Sequence, residues 1–397
     1  MQPPQRADFE WYFIHAREMA LGQGYHWRGQ ATAYWPIGWP FILSIIYRLT
    51  GPVMISGLIF NTLLSIGMVI LIYKFIEHFT HHARLATIGA LFYTLLPSQI
   101  EWNAVNGSEE SFTFLLVIVL FALTLLSNKK EHRWWPFALV GLLLGLDIDI
   151  RPIPLLFPIF YLFSERWLGQ IAWRIAFQRT VLFVLGMVVG IFPVTLRNWL
   201  AMHHFVLVST NGGVNLWQGI MTNSGYYWSY NPNINPLLAA GKNEVLENAI
   251  GEKVAFQYYW THPWQTFLNG WAKIYHLYNN DVNAVRYTFI NAGAQPWLVT
   301  TMRNVDTIAY WIFMLFVLLG LMYLAIQAEK RPLLRQWAII LCFLVYYTLV
   351  FFFFPAWDRF RYPLMPLYAL FTPMGCVAFP WIWNRTIRHR FKGEQKS

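Results

Sequence analysis

Residues 53–73 read VMISGLIFNTLLSIGMVILIY and contain no charged side chain. A helix needs about 20 mainly apolar residues to cross a bilayer, and this stretch supplies them. Comparable apolar stretches recur along the chain and are separated by short basic connectors. The sequence therefore predicts an all-α protein, a polytopic bundle of transmembrane helices.

The composition supports a membrane protein. Of the 397 residues, 57% are hydrophobic and 12% are charged, about half the charged fraction of an average soluble domain. This excludes an ordinary soluble enzyme, a disordered chain and a coiled coil. The net charge is +10, but the basic residues lie in short groups beside apolar stretches, so membrane topology explains them better than nucleic-acid binding.

Hydropathy and length predict about nine spans. The fourth and fifth are kept apart because Asp147, Asp149 and Arg151 would otherwise lie inside the bilayer, where a charge costs about 2.5–3.5 kcal/mol. The predicted spans are Val53–Tyr73, Arg84–Ala104, Glu110–Ser127, Trp135–Ile150, Pro152–Phe163, Thr180–Thr195, Val305–Ile326, Gln336–Phe354 and Leu364–Trp383.

Alternate connectors carry most of the lysine and arginine, and by the positive-inside rule these connectors face the cytoplasm. The chain is therefore predicted to lie in the cytoplasmic membrane with the remaining connectors outside. Four regions follow: an outer loop with interfacial helices at 1–52, a transmembrane core at 53–195, a long outer segment at 196–304, and transmembrane helices with a basic tail at 305–397.

Two short helices are predicted before the first span. A helical pattern begins at Asp8 and ends at Gly22, and an aspartate at such a position most often caps the helix. Residues 36–49 are apolar, include Pro40 and are followed by Thr50-Gly51-Pro52. This pattern favours a helix lying in the outer interface. The alternative, a further span, would reverse the side of every later connector.

Several weak motifs follow one another at outer-face positions. They are Asp8-x-x-x-Tyr12, Ala33 to Pro40, Ser108-Glu109, Arg151-Pro152, Arg197-Asn198 and Arg359 to Pro363. Their ordered succession resembles the GT-C class of integral-membrane glycosyltransferases, and in particular the bacterial relatives of the protein O-mannosyltransferases and lipid A aminoarabinose transferases. Such relatives possess a first helix that we expect this chain to lack.

The resemblance implies transfer of a sugar from a polyprenyl-phosphate donor to an acceptor hydroxyl outside the membrane, with inversion at the anomeric carbon. Asp8 matches the acidic position of the family and is the predicted general base. Glu109 matches a second acidic position, from which it would orient the acceptor, support Asp8 or help to hold a divalent ion. The acceptor itself is left open as a lipid, a polymer or a protein.

Donor recognition needs positive charge for the phosphate that leaves. Arg197 matches the arginine that follows a span in the family and is the first candidate, Arg361 is the second, and Tyr34 is assigned to the same subsite. An alternative for Arg197 is a snorkelling residue at the interface. Residues predicted to line the substrate groove are Glu10, Arg151, Asn211 and Arg359.

Other features weigh against additional chemistry. Asp8, Glu10 and Glu109 lack the spacing of a metal site, so no metal and no certain cofactor is predicted, and metal dependence stays open. Trp35 stands where relatives commonly have a basic residue before a proline pair. Asp147 and Asp149 are predicted to pair with Arg151, in preference to lining a donor groove.

Two rival functions remain. A lipid or sugar transporter, or a flippase, would also be polytopic, but such proteins commonly show internal repeats and binding groups at the bilayer midplane. This chain shows no clear repeat, and its polar motifs fall on one surface. The second rival is an inactive family member that serves as a partner subunit, which the departure at Trp35 leaves open.

Overall fold

The computed structural model describes residues 7–128, 134–221, 225–327 and 332–378. Helices dominate these residues, and their regular strands are β1 (His26–Trp27) and β2 (Gln30–Ala31), which pair in an antiparallel hairpin. The predicted all-α class is confirmed.

The segment before the first span forms two packed helices. Helix α1 (Asp8–Ala20) has Ala7 at its N-cap, so Asp8 is the first residue of the helix and its side chain is available for other contacts. Helix α2 (Gly38–Thr50) buries Trp39 and Leu43. At 13 residues α2 is shorter than the length of about 20 that a span needs, which favours the predicted interfacial helix.

Four described helices are long and apolar enough to cross a membrane, and the chain is an integral membrane protein. They are α3 (Met54–Thr80), α6 (Glu109–Asn128), α9 (Trp173–Met202) and α14 (Pro296–Gln327). Shorter apolar helices accompany them as α7 (Trp135–Ile148) and α15 (Pro332–Val350).

The second and fifth predicted spans are broken helices, not continuous ones. The second consists of α4 (Ala83–Thr94), α5 (Pro97–Glu101) and a 3₁₀ turn at Trp102–Ala104. The fifth consists of a 3₁₀ turn at Ile153–Leu156, α8 (Phe157–Phe163) and a π-helical turn at Ser164–Leu168. Proline lacks a backbone N–H and disfavours helix in the residue before it. Accordingly, Pro97 begins α5, and Pro154 and Pro158 lie in the first turns of their elements.

The outer segment at 196–304 is largely helical. After α9 the chain forms α10, a 3₁₀ turn, α11, α12, α13 and a π-helical turn. Their bounds are Gly212–Ile220, Pro236–Ala240, Glu244–Thr261, Pro263–Tyr278, Asn283–Val285 and Arg286–Ile290. Helix α10 packs on α11.

The last predicted span, Leu364–Trp383, is also divided. A 3₁₀ turn at Asp358–Leu364 leads into α16 (Met365–Ala369), and residues 372–378 form a further helix. Residues 379–383 lie outside the described part of the chain. The prolines at 363, 366 and 373 account for the divisions.

The two ends of the bundle carry different contacts. At one end, the first turns of α1 and α6 meet the segments around Arg151 and Arg359. At the other, Glu165 pairs with Arg179 across 2.6 Å, close to the basic connectors. The segments that the sequence assigns to the outer face therefore converge on one another.

Helices α7 and α9 approach each other through glycines. A Cβ atom added at Gly186 would lie 1.8 Å from the carbonyl oxygen of Ala138, and one added at Gly141 would lie 2.0 Å from that of Phe183. Gly145 and Gly190 make equally close approaches one helical turn further along. Two small residues four apart on each helix allow the backbones to touch, which is a common way for membrane helices to associate.

We expect Gly186→Leu to force α7 and α9 apart and to destabilise the protein by about 1–3 kcal/mol or more, as overpacking does. The measurement is the midpoint of thermal denaturation in detergent, followed by size-exclusion chromatography. Val188→Leu, at a position 53% exposed on the same helix, is the control. Equal midpoints for the two variants would contradict close packing at Gly186.

Candidate active site

Arg359 connects the two ends of the chain through a buried ion-pair cluster. Its Nη2 lies 2.5 Å from Oδ2 of Asp8, and its Nε lies 2.6 Å from Oε1 of Glu109. The 3₁₀ turn at Asp358–Leu364 carries this arginine toward the first turns of α1 and α6. Two acidic residues that the sequence proposed as functional partners are thus held on one guanidinium group.

Arg151 adds a second guanidinium group to the cluster. Its Nη2 lies 2.5 Å from Oε1 of Glu109, and its Nε donates to Oγ of Ser108 over 2.9 Å. One oxygen of Glu109 therefore accepts from two arginines, while its Oε2 is buried and has no hydrogen-bond partner among the described residues. Asp8, Glu109, Arg151 and Arg359 are the charge cluster referred to below.

The two carboxylates of the charge cluster differ in exposure. The side chain of Asp8 is 12% exposed and that of Glu109 is 0% exposed. Asp8 is therefore the carboxylate that a substrate can reach, whereas Glu109 holds the arginines in place from within. One helical turn after Asp8, burial and then the Asp8 carboxylate raise the pKa of the Tyr12 hydroxyl to about 12, which keeps it neutral.

Aromatic rings enclose Arg359. Its guanidinium carbon lies 4.3 Å from the ring centroid of Phe9, 5.6 Å from that of Tyr287 and 5.9 Å from that of Trp102. Such contacts favour a guanidinium group that has lost its water. Sequence reasoning missed all three rings, because aromatic residues make up 19% of the chain and these three carry no distinguishing pattern.

Arg197 lies against the outer loop that precedes α2. It donates to the carbonyl oxygen of Thr32 over 2.6 Å and to that of Tyr25 over 2.9 Å. Glu244 holds the same loop by accepting from Oγ1 of Thr32 over 2.6 Å and from N of Ala33 over 2.7 Å. Arg197 makes no ion pair with a described residue, and its predicted contact with the donor phosphate stays a prediction.

Arg361 occupies separate surroundings from Arg359. It is 1% exposed, its Nη2 lies 3.1 Å from Oδ1 of Asp281, and its Nη1 donates to the carbonyl oxygen of Leu277 over 2.5 Å. Its guanidinium carbon is 3.8 Å from the ring centroid of Tyr310. The sequence ranked Arg361 ahead of Arg359 for donor contact, but it is Arg359 that reaches Asp8.

The other predicted site residues lie apart from the charge cluster. The ring of Tyr34 packs at 5.0 Å from that of Trp27, and Oδ1 of Asn211 accepts from Oγ of Ser209 over 2.9 Å. Glu10 faces a cleft beside α1. The described residues include no group of three or more histidine, cysteine or acidic side chains placed to hold a metal ion.

The predicted pairing of Asp147 and Asp149 with Arg151 is wrong. Arg151 turns toward the start of α6 and donates to Ser108 and Glu109. Both carboxylate oxygens of Asp147 are buried without a hydrogen-bond partner among the described residues. Closeness in sequence misled the prediction, because the chain turns at the end of α7 and carries the guanidinium group away from the helix.

The chain is a membrane-embedded helical protein whose acidic and basic groups meet at one end of the bundle. Residues 35–195 match the family model described as dolichyl-phosphate-mannose-protein mannosyltransferase. The match confirms the predicted relation to the protein O-mannosyltransferases, and with it the class of membrane glycosyltransferases. It gives no support to the transporter alternative.

The chain is similar to a solved structure but matches no curated protein. Among solved structures the chain is similar to the crystal structure of ArnT from Cupriavidus metallidurans bound to undecaprenyl phosphate, with 14% identity and a TM-score of 0.41. The similarity covers 95% of this chain and 74% of that chain. A comparison with the curated proteins found no match.

We expect Glu109→Gln to destabilise the fold, because breaking a buried ion pair costs about 3–5 kcal/mol and two arginines share this carboxylate. Glu110→Gln is the matched control, since Glu110 is also buried but makes no ion pair with a described residue. The check is the midpoint of thermal denaturation of each variant in detergent. If the two variants lose equal stability, Glu109 does not anchor the cluster.

Proposed function

We propose that this protein transfers a sugar from a polyprenyl-phosphate donor to an acceptor hydroxyl on the outer face of the cytoplasmic membrane. The observation that carries the proposal is the charge cluster, in which a partly exposed Asp8 is oriented by Arg359. The family matched by residues 35–195 is described by a lipid-linked sugar donor, which supports a donor of this class. The basic connectors support the assignment of sides.

Asp8 is the proposed general base. Arg359 holds its Oδ2, which orients the carboxylate so that Oδ1 can accept the proton of the acceptor hydroxyl. As that proton leaves, the acceptor oxygen forms a bond to the anomeric carbon, and the bond from this carbon to the phosphate oxygen breaks with its electron pair going to the phosphate. A single displacement of this kind inverts the anomeric centre and needs one base.

The contacts of Arg359 suit this role. One guanidinium group contacts both Asp8 and the buried Glu109, so the two carboxylates are held in a fixed relation. Glu109 therefore acts as a positioning residue that fixes Asp8 through Arg359.

The leaving phosphate needs fixed positive charge, and in a displacement with inversion it departs from the side of the anomeric carbon opposite the attacking oxygen and its base. Arg359, which is held by Asp8 and Glu109, is therefore proposed to orient the base. Arg197 makes no ion pair with a described residue and stays the proposed contact for the donor phosphate, while its bonds to the carbonyl groups of Tyr25 and Thr32 position the loop that carries Tyr34. Arg361, buried against Asp281, is proposed to fix the 3₁₀ turn on which Arg359 lies.

We expect Asp8→Asn to lower sugar transfer by about 10²–10⁴-fold, the usual contribution of a general base. The amide oxygen can still accept from Arg359, and the midpoint of thermal denaturation separates this loss of activity from any loss of stability caused by breaking the ion pair. The measurement is consumption of polyprenyl-phosphate sugars by purified protein in nanodiscs, with a mixture of lipid, polymer and peptide acceptors. Glu77→Gln, a change of the same kind on the exposed end of α3, is the control.

The outcomes separate the alternatives. Full activity in Asp8→Asn would remove Asp8 as the base. A wild-type protein that consumes none of the donors would favour the alternative of an inactive family member serving as a partner subunit, because such a member has the same fold but does not catalyse the reaction.

The proposed orientation predicts the accessibility of introduced cysteines. In a variant with Cys342 and Cys376 replaced by serine, we expect Tyr230→Cys, 85% exposed in the outer segment, to react with a membrane-impermeant maleimide added to intact cells. His82→Cys, between α3 and α4, should be protected until the membrane is opened. The reverse pattern would place the charge cluster on the cytoplasmic face and contradict the proposal.

A further inference from the structure

An open cleft of about 650 Å³ lies beside α1 and against the β1–β2 hairpin. Ala7 and Glu10, on either side of Asp8 and Phe9 in the sequence, belong to its wall. The cleft therefore adjoins the turn of helix that holds the proposed base. It has no part in the charge cluster, whose arginines lie on other elements.

Two tryptophans give the cleft rigid apolar walls. The rings of Trp11 and Trp27 lie 5.1 Å apart at 71°, and the ring of His15 stacks on Trp11 at 3.9 Å. Nε1 of Trp11 donates to the hydroxyl of Tyr25 over 3.2 Å, which fixes that ring. His15 covers one face of Trp11 and the guanidinium group of Arg28 lies over Trp27, so the C–H groups of a sugar ring can pack on the aromatic surface that these two contacts leave open.

Hydrogen-bond acceptors surround these rings. His15 is not one of them, because its ring hydrogen-bonds the carbonyl oxygen of Trp11 through Nδ1 over 3.0 Å and also hydrogen-bonds the backbone of His26. Burial lowers the pKa of His15, which keeps the ring neutral. Glu10 and Glu18 lie on the same wall, two helical turns apart. A ligand for this cleft needs several donors, and a polyhydroxylated molecule provides them.

The charges of the cleft argue against an anion. Arg28 lines it, but its guanidinium carbon lies 3.9 Å from the ring centroid of Trp27 and its Nη1 donates to the carbonyl oxygen of Gly241. Glu10 and Glu18 remain as carboxylates on the wall. A phosphate or uronate would meet net negative charge here, and a bare lipid chain would leave the acceptors without partners.

We infer that this cleft binds the carbohydrate part of the acceptor, so that the acceptor is a neutral, sugar-bearing molecule whose hydroxyl reaches Asp8 over the first turn of α1. This rests on the proposed function and adds to it the class of the acceptor. Trp27 supplies the aromatic wall, and Glu10 and Glu18 supply the acceptors for the sugar hydroxyls.

The test is a titration of purified protein in nanodiscs with maltose and with N,N′-diacetylchitobiose, without any donor, followed by tryptophan fluorescence and calorimetry. We expect saturable binding of at least one neutral sugar, weakened about tenfold or more in Trp27→Ala and largely restored in Trp27→Phe. Trp260→Ala, 89% exposed on α11, is the matched control and should bind as the wild type does.

Three results would overturn the inference. They are no saturable binding of either neutral sugar, equal binding by Trp27→Ala and wild type, or tighter binding of glucuronate or inorganic phosphate than of the neutral sugars. The titration contains no donor, so it tests the cleft independently of transfer. A protein that binds the sugar in this titration but consumes no donor in the transfer assay would contradict the proposed function and leave sugar binding in the cleft intact.

Discussion

The contact of Arg359 with Asp8 and Glu109 is the constraint on which the site depends. It joins residues 351 and 250 positions apart, so the first helix and the 3₁₀ turn near the end of the described chain must meet at the start of α6. A buried ion pair adds little net stability over an apolar contact, but losing one partner leaves an uncompensated charge. The cluster therefore favours one arrangement of the helices and strongly disfavours those that separate its members.

Sequence reasoning recovered the elements whose boundaries are set by hydropathy and missed those set by the local backbone. Helices α3, α6 and α14 overlap their predicted apolar stretches, although α3 continues to Thr80 and α14 begins at Pro296. The stretches that begin at Arg84 and Pro152 are equally apolar, but each is interrupted at prolines. Hydropathy indicates whether a segment can lie in a bilayer. Helix continuity depends instead on a backbone N–H donor at each position, which hydropathy does not measure.

The site shows the same division. Asp8 and Glu109 were proposed from the resemblance to the GT-C class, because on position alone Asp8 would be taken for a helix cap, and the structure brings both of them to Arg359. The choice between Arg359 and Arg361 could not be made, since two arginines two positions apart in a turn take different directions only through their tertiary partners, Asp8 and Asp281. The predicted pairing of Asp147 was wrong for a related reason. The nearest arginine in the sequence, Arg151, pairs with Glu109 instead.

The family match covers only two of the four residues of the charge cluster. Residues 35–195 contain Glu109 and Arg151 but neither Asp8 nor Arg359. Within the matched part, Glu109 and Arg151 make a neutral pair in which the Glu109 side chain is fully buried. Arg359 adds a positive charge to that pair, and among the described residues the carboxylate of Asp8 balances it. Asp8 is also the more exposed of the two carboxylates, so the residue that completes the charge balance is the one proposed as the base.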